Sequence, residues 1–185
     1  MKANHHMKNK LLPLLTLIAS ALAAFATNAL AGCCDPEYPM MMQTANTDES
    51  GALMEPVKSV FDNYLNIQSA LAKDSIDGVA SNASAIGTAV RGDSMKMLSP
   101  DVANQADALA KAKDVASARE AFKPLSKSLI QYLTDHNVTA AYTEVYCPMA
   151  KASWLQKSDK IDNPYLGASM RSCGEIQKKS KQKRS

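Results

Sequence analysis

Four sulfur-bearing residues stand close together near the end of the 185-residue chain: Cys147, Met149, Met170 and Cys173. Thiolate and thioether sulfur are soft ligands. A set of them suits Cu(I) or Ag(I) and serves Mg²⁺ or Ca²⁺ poorly. In Cys147-Pro148-Met149 the two sulfurs are two residues apart, so in an extended segment both point the same way. In Met170-Arg171-Ser172-Cys173 they are three apart, which places them on one side of a helical turn. The two pieces brought together make a four-sulfur site in which Cys147 and Cys173 anchor and Met149 and Met170 complete the set. Zinc asks for more Cys or His. His136 is the one histidine beyond the first 32 residues, and its place at a helix end needs no ligand role. The same residues allow another chemistry. Cys147 and Cys173 can join as a disulfide, which would stabilise the fold by about 3 kcal/mol on a chain-entropy argument, and the two methionines would then be packing residues. Both readings stand at this point, and they are compatible, since a pair opened by reduction can bind a soft metal.

Something must hold these residues. The apolar positions Val57, Val60, Phe61, Tyr64, Ile67 and Leu71 fall on one helical face, with Pro56 in the first turn. A second helix is expected from Ile76, Val79, Ala80, Ala83, Ile86, Ala89 and Val90. Ser99 caps a third helix that opens on Pro100. The fourth carries Ala116, Ala118, Phe122, Leu125, Leu129, Ile130 and Leu133, with a kink or a new start expected at Pro124. After Asn137 the composition turns to Val, Thr and Tyr, which reads as extended or as a short strand-like piece. The expectation is an all-α four-helix bundle. An irregular Cys/Met segment would lie across one end of it, with Trp154 and Tyr165 covering apolar surface.

The ends of the chain say where it works. Residues 1–32 begin with Lys2, Lys8 and Lys10, continue through the apolar run "LLPLLTLIASALAAFATNALAG", and read as an export signal. The exit Leu30-Ala31-Gly32-Cys33 matches a lipobox, which makes Cys33 the expected lipidation site. Cleavage after Ala29-Leu30-Ala31 is the competing reading and leaves a soluble periplasmic protein. Cys34 follows Cys33 where an inner-membrane retention signal has aspartate, so the outer membrane is favoured. Residues 33–53 read as a tether, in which Met40, Met41 and Met42 form a run of thioethers. Residues 54–177 make the helical-bundle domain. Residues 178–185 are a basic tail with five of the Lys and Arg residues. Without the three signal lysines, 18 basic residues face 18 acidic ones. Nothing in this balance suggests a nucleic-acid partner. There is no GxSxG, HExxH, CxxCH or phosphate loop, and the chain is expected not to be an enzyme.

The stretch "VYCPMAKASWLQKSDKIDNPYLGASMRSCG" resembles the C-terminal signature of a family of small exported bacterial helical domains of undetermined function. The elements that carry the resemblance are Cys147-Pro148-Met149, Trp154-Leu155, Asn163-Pro164-Tyr165, Gly167, Met170 and Cys173-Gly174. The opening "VKSVFDNYLNIQSALAKDS" is similar to the family's first helix, and the likeness spans residues 56–177. Family members occur alone as lipoprotein-like domains, or fused to periplasmic adaptor subunits of copper/silver heavy-metal efflux pumps. The resemblance implies a domain linked by company to copper and silver handling, with Cys147, Met149, Met170 and Cys173 as its ligands. The expected function is a periplasm-facing lipoprotein that binds Cu(I) or Ag(I), accessory to efflux or homeostasis. Its expected partners are an efflux adaptor or copper-handling protein and, through the lipid, a membrane. The alternative is a structural or protein-interaction lipoprotein with a Cys147–Cys173 disulfide and no metal.

Overall fold

The computed structural model describes residues 53–138 and 142–177. The signal, Cys33, Cys34, the Met40–Met42 run and the basic tail lie outside them. Four helices come first: α1 (Val57–Ala72), α2 (Val79–Gly92), α3 (Pro100–Ala110) and α4 (Val115–Asp135). Each turns an apolar stripe inward. On α1 the stripe is Val57, Val60, Phe61, Tyr64, Ile67 and Leu71, all fully buried. The helix starts follow their capping residues. The Ser99 hydroxyl accepts from the Asp101 N–H at 3.3 Å. The Asp114 carboxylate accepts from the Ser117 N–H at 2.7 Å, and the Ser117 hydroxyl accepts from the Asp114 N–H, which closes a capping box. The second helix starts later than its periodicity suggests. Ser75 instead accepts from the Asp77 N–H in a turn, and α2 begins after Gly78. Pro124 lies inside α4 without ending it. Phe122, Leu125 and Leu129 on either side of it are fully buried, and that packing holds the helix through the proline.

The expectation of an all-α fold is corrected by the C-terminal part. A three-stranded antiparallel sheet follows the helices: β1 (Thr143–Cys147), β2 (Ala152–Gln156) and β3 (Glu175–Ile176), in the order β2-β1-β3. Val145 faces Trp154 and Cys147 faces Ala152 across the β1–β2 hairpin. The sequence reason is the β-branched and aromatic run "TEVYC". Val145 and Cys147 point inward while Tyr146 points out, the alternation of a half-buried strand. The segment also lies elsewhere than expected. It packs along the flank of α1 and α4 rather than across an end of the bundle. Tyr64 of α1 stacks on Phe122 of α4 at 4.8 Å between ring centres, and Phe122 meets Tyr165 at 6.0 Å. Trp154 is fully buried, its ring nearly perpendicular to that of Tyr165 at 5.8 Å between centres. Polar bonds cross the same seam. The Tyr64 hydroxyl accepts from the Leu155 N–H at 3.0 Å and shares a hydrogen bond with Ser126 Oγ at 2.9 Å. Burial raises the pKa of that hydroxyl and keeps it protonated. Among the described residues no helix is long and apolar enough to cross a membrane.

Candidate functional site

Cys147 is the last residue of β1, and its side chain is inward and fully buried. The chain then turns through residues 148–151 and returns as β2. Cys173 comes from the other side, after a 3-10 turn over Gly167–Met170. The two Sγ atoms stand 3.2 Å apart, unbonded. Cys147 Sγ also accepts from the Ala150 N–H at 3.5 Å.

The Cys173 strap is positioned by Asn163, which has no exposed surface. Its side-chain Nδ2 donates to the Cys173 carbonyl at 2.6 Å, and its own N–H donates to the Arg171 carbonyl at 2.8 Å. Its Oδ1 accepts from the N–H groups of Tyr165 (2.8 Å) and Leu166 (3.0 Å). Gly174 lets the strap lie flat on the sheet. Its φ is +155°, and a Cβ there would come 2.7 Å from Val145 Cγ1 and 2.9 Å from the Trp154 ring.

Two arginines tie the strap to the end of α1. Arg119 of α4 donates to the Pro164 carbonyl at 2.7 Å, to the Leu71 carbonyl at 2.8 Å and to Asp74. Arg171 donates to the Ala72 carbonyl at 3.1 Å, and its Nε lies 3.3 Å from Asp162 Oδ1. The Arg171 bond pairs the Ala72 carbonyl at the C-terminus of α1, and the Arg119 bond adds a second donor to the Leu71 carbonyl, which already accepts from the Asp74 N–H at 3.1 Å. The Ala168 N–H completes the latch by donating to Asp74 at 2.9 Å. That bond, and then the Arg119 guanidinium, hold the Asp74 carboxyl below its usual range. Gly167, at φ +57°, has Asp74 and Arg119 where its Cβ would sit.

The electrostatics of the two thiols differ. Burial pushes the Cys147 thiol up, but hydrogen bonds from the Ala150 N–H, Cys173 and Asn163 outweigh it and leave its pKa lowered. Cys173 is pushed up, by its hydrogen bond to Cys147 first and then by burial.

The structure therefore brings Cys147 and Cys173 together. The methionines sit differently from the sequence expectation. Met149 is in the turn after β1, where strand alternation no longer applies, and is 63% exposed. Met170 is 40% exposed at the end of the 3-10 turn, and its carbonyl accepts from the Cys173 N–H at 3.0 Å. Both methionines are exposed where Cys147 is fully buried. His136 caps α4, with Nδ1 at 2.9 Å from the Tyr132 carbonyl and its ring stacked on Tyr132. Among the described residues no three of His, Cys, Asp and Glu converge. Sequence reasoning missed Asp74, Arg119 and Arg171, since charged residues beside helix ends look like solvated surface. It gave Asn163 only a turn. The signal that was present is an Asn-Pro-Tyr-x-Gly run, which prescribes an Asx turn followed by a positive φ.

Residues 60–140 match a family model described as Protein of unknown function (DUF3347). The match covers most of α1 and all of α2, α3 and α4. It ends before Cys147, so the sulfur motif lies beyond it. No curated protein matches the chain. No solved structure matches it.

Proposed function

We propose that this chain is a periplasm-facing lipoprotein, anchored through Cys33, whose domain binds one Cu(I) or Ag(I) at Cys147 and Cys173 as an accessory to metal efflux or homeostasis. The observation that carries the reading is the pairing of the two thiols, at 3.2 Å, by strands and turns far apart in sequence. The donor chemistry fits. Two thiolates make a soft pair, and no convergent hard-oxygen or imidazole set competes with them among the described residues. Met149 and Met170, both exposed and two and three residues from the thiols in sequence, would supply thioethers through which a soft ion can pass on or off by ligand exchange. No covalent chemistry is asked of the site. The resemblance of the Cys/Met signature to domains fused to copper/silver efflux adaptors supports the same reading, and an adaptor or copper-handling protein is the partner it suggests. The test is Cu(I) competition with a chromogenic chelator on reduced protein carrying Cys33→Ser and Cys34→Ser. One tight site is expected, with affinity lowered by orders of magnitude in Cys147→Ser while the far-UV helical signal is kept. Equal affinity in the two proteins would sink the site.

The same 3.2 Å supports a second reading, a structural disulfide. A bonded pair needs about 2.05 Å between sulfurs, and only a small side-chain movement separates the two. In an oxidising compartment such a pair closes. On this reading the bond pins the strap, and a protein partner replaces the metal.

A further inference from the structure

The two sulfurs differ in access. Cys147 is fully buried beneath the hairpin, and the polar groups that meet its Sγ include the Ala150 N–H and Cys173. Cys173 is partly exposed. Asn163, Gly174 and the Arg171–Ala72 bond hold the strap that carries Cys173 without help from a sulfur bond. Of the fixed pair, Cys173 is thus the residue nearer to solvent while the fold stays closed.

We propose that Cys173 is the outer thiol that exchanges with low-molecular-weight disulfides, and that Cys147 is the inner thiol that completes the exchange from behind it. Cys173 is the less acidic thiol of the two but the more exposed residue: it gives its proton to solvent, and its thiolate attacks one sulfur of an external disulfide R–S–S–R. A Cys173–S–S–R bond forms, and R–S⁻ leaves and takes up a proton. The R group stays in solvent. The Cys147 thiolate then attacks Cys173 Sγ from 3.2 Å away, the Cys147–Cys173 bond forms, and the second R–S⁻ leaves. The protein dithiol loses two electrons and the external disulfide gains them. Reduction runs the same path in reverse and also begins at Cys173. The exchange uses the sulfur pair of the proposed metal site but needs no metal, so it stands or falls independently.

The test uses metal-free, reduced full chain carrying Cys33→Ser and Cys34→Ser, mixed with an aromatic disulfide that releases a coloured thiol. The two-cysteine protein is expected to release two equivalents and keep no adduct by mass. With Cys147→Ser, one equivalent is released and a stable adduct remains on Cys173. With Cys173→Ser, the remaining Cys147 reacts about tenfold or more slowly than Cys173 does, and the difference vanishes in guanidinium. To guard against a variant that fails to fold, the unaltered dithiol is also treated with less than one equivalent of an alkylating agent and mapped by peptide. The tag is expected on Cys173. A tag on Cys147, equal native rates for the two thiols, or an adduct retained by the two-cysteine protein would each overturn the proposal. Loss of Cu(I) binding with this pattern intact would remove the metal reading alone.

Discussion

The helical part and the C-terminal part are built on different forces. The helices from Val57 to Asp135 are held by apolar stripes, and their surface ion pairs, such as Arg91 with Asp107, are exposed and worth little. The segment from Tyr142 to Gln177 sends Val145, Trp154, Leu155 and Tyr165 into the same core, and the stretch that follows β2 is also placed by side-chain bonds to backbone from Asn163, Arg119, Arg171 and Gln156. A stripe tolerates exchange of one apolar residue for another of similar size. A bonded strap does not, because each missing partner leaves a part-buried backbone group unpaired. Cys147 is part of the core, whereas the position of Cys173 rests on bonds from Asn163 and Arg171, so the pair can be separated without unfolding the scaffold.

That contrast can be broken at its seam. Phe122 touches both halves through Tyr64 and Tyr165, so Phe122→Ala should cost about 3–5 kcal/mol. Far-UV circular dichroism and Trp154 fluorescence should shift together in a denaturant titration. A fluorescence change that leaves the helical transition in place would show that the seam belongs to the strap alone.

Asn163→Ala sharpens the contrast. It leaves the N–H groups of Tyr165 and Leu166 and the Cys173 carbonyl without their side-chain partner, at about 1–3 kcal/mol. Trp154 fluorescence should respond before the helical signal, and closure of the Cys147–Cys173 pair by a mild oxidant should slow. Unchanged closure would mean that something other than Asn163 sets the Cys173 strap.

The smallest effect is at the Asp74 latch. Its folded pKa lies below its ordinary value, so its contribution is full above the usual carboxylate range, near pH 4, and is lost as pH falls through the folded value. The Tm difference between the natural chain and Asp74→Asn should be widest at neutral pH and should close below about pH 4. A gap that persists into acid would show that Asp74 acts by shape and not by charge.

The helices were legible because periodicity and caps act locally: Ser99, Pro100 and the α1 stripe stand where the spacing puts them. The sheet was half legible. "TEVYC" carries strand chemistry, but β1 pairs across a four-residue turn with β2 and then with a two-residue strand nearly thirty positions on, and no local pattern states that pairing. The two cysteines were legible by type, and their contact by nothing more than compartment logic. The methionine geometry was misread because alternation was extended past Cys147, where Pro148, with no N–H to give, opens the turn. The arginine latch was invisible, since it depends on where α1 ends relative to α4.

The central claim is that Cys147 and Cys173 act together on one soft metal ion. The most direct measurement is a count of reactive thiols, with Cys33 and Cys34 replaced by serine, before and after one equivalent of Cu(I) is added to reduced protein under anaerobic conditions. Two reactive thiols are expected to fall to none with that single equivalent and to return when a stronger chelator removes the copper. Two thiols that stay reactive beside the bound or free copper would contradict it, and would leave the pair as a fastening for the strap.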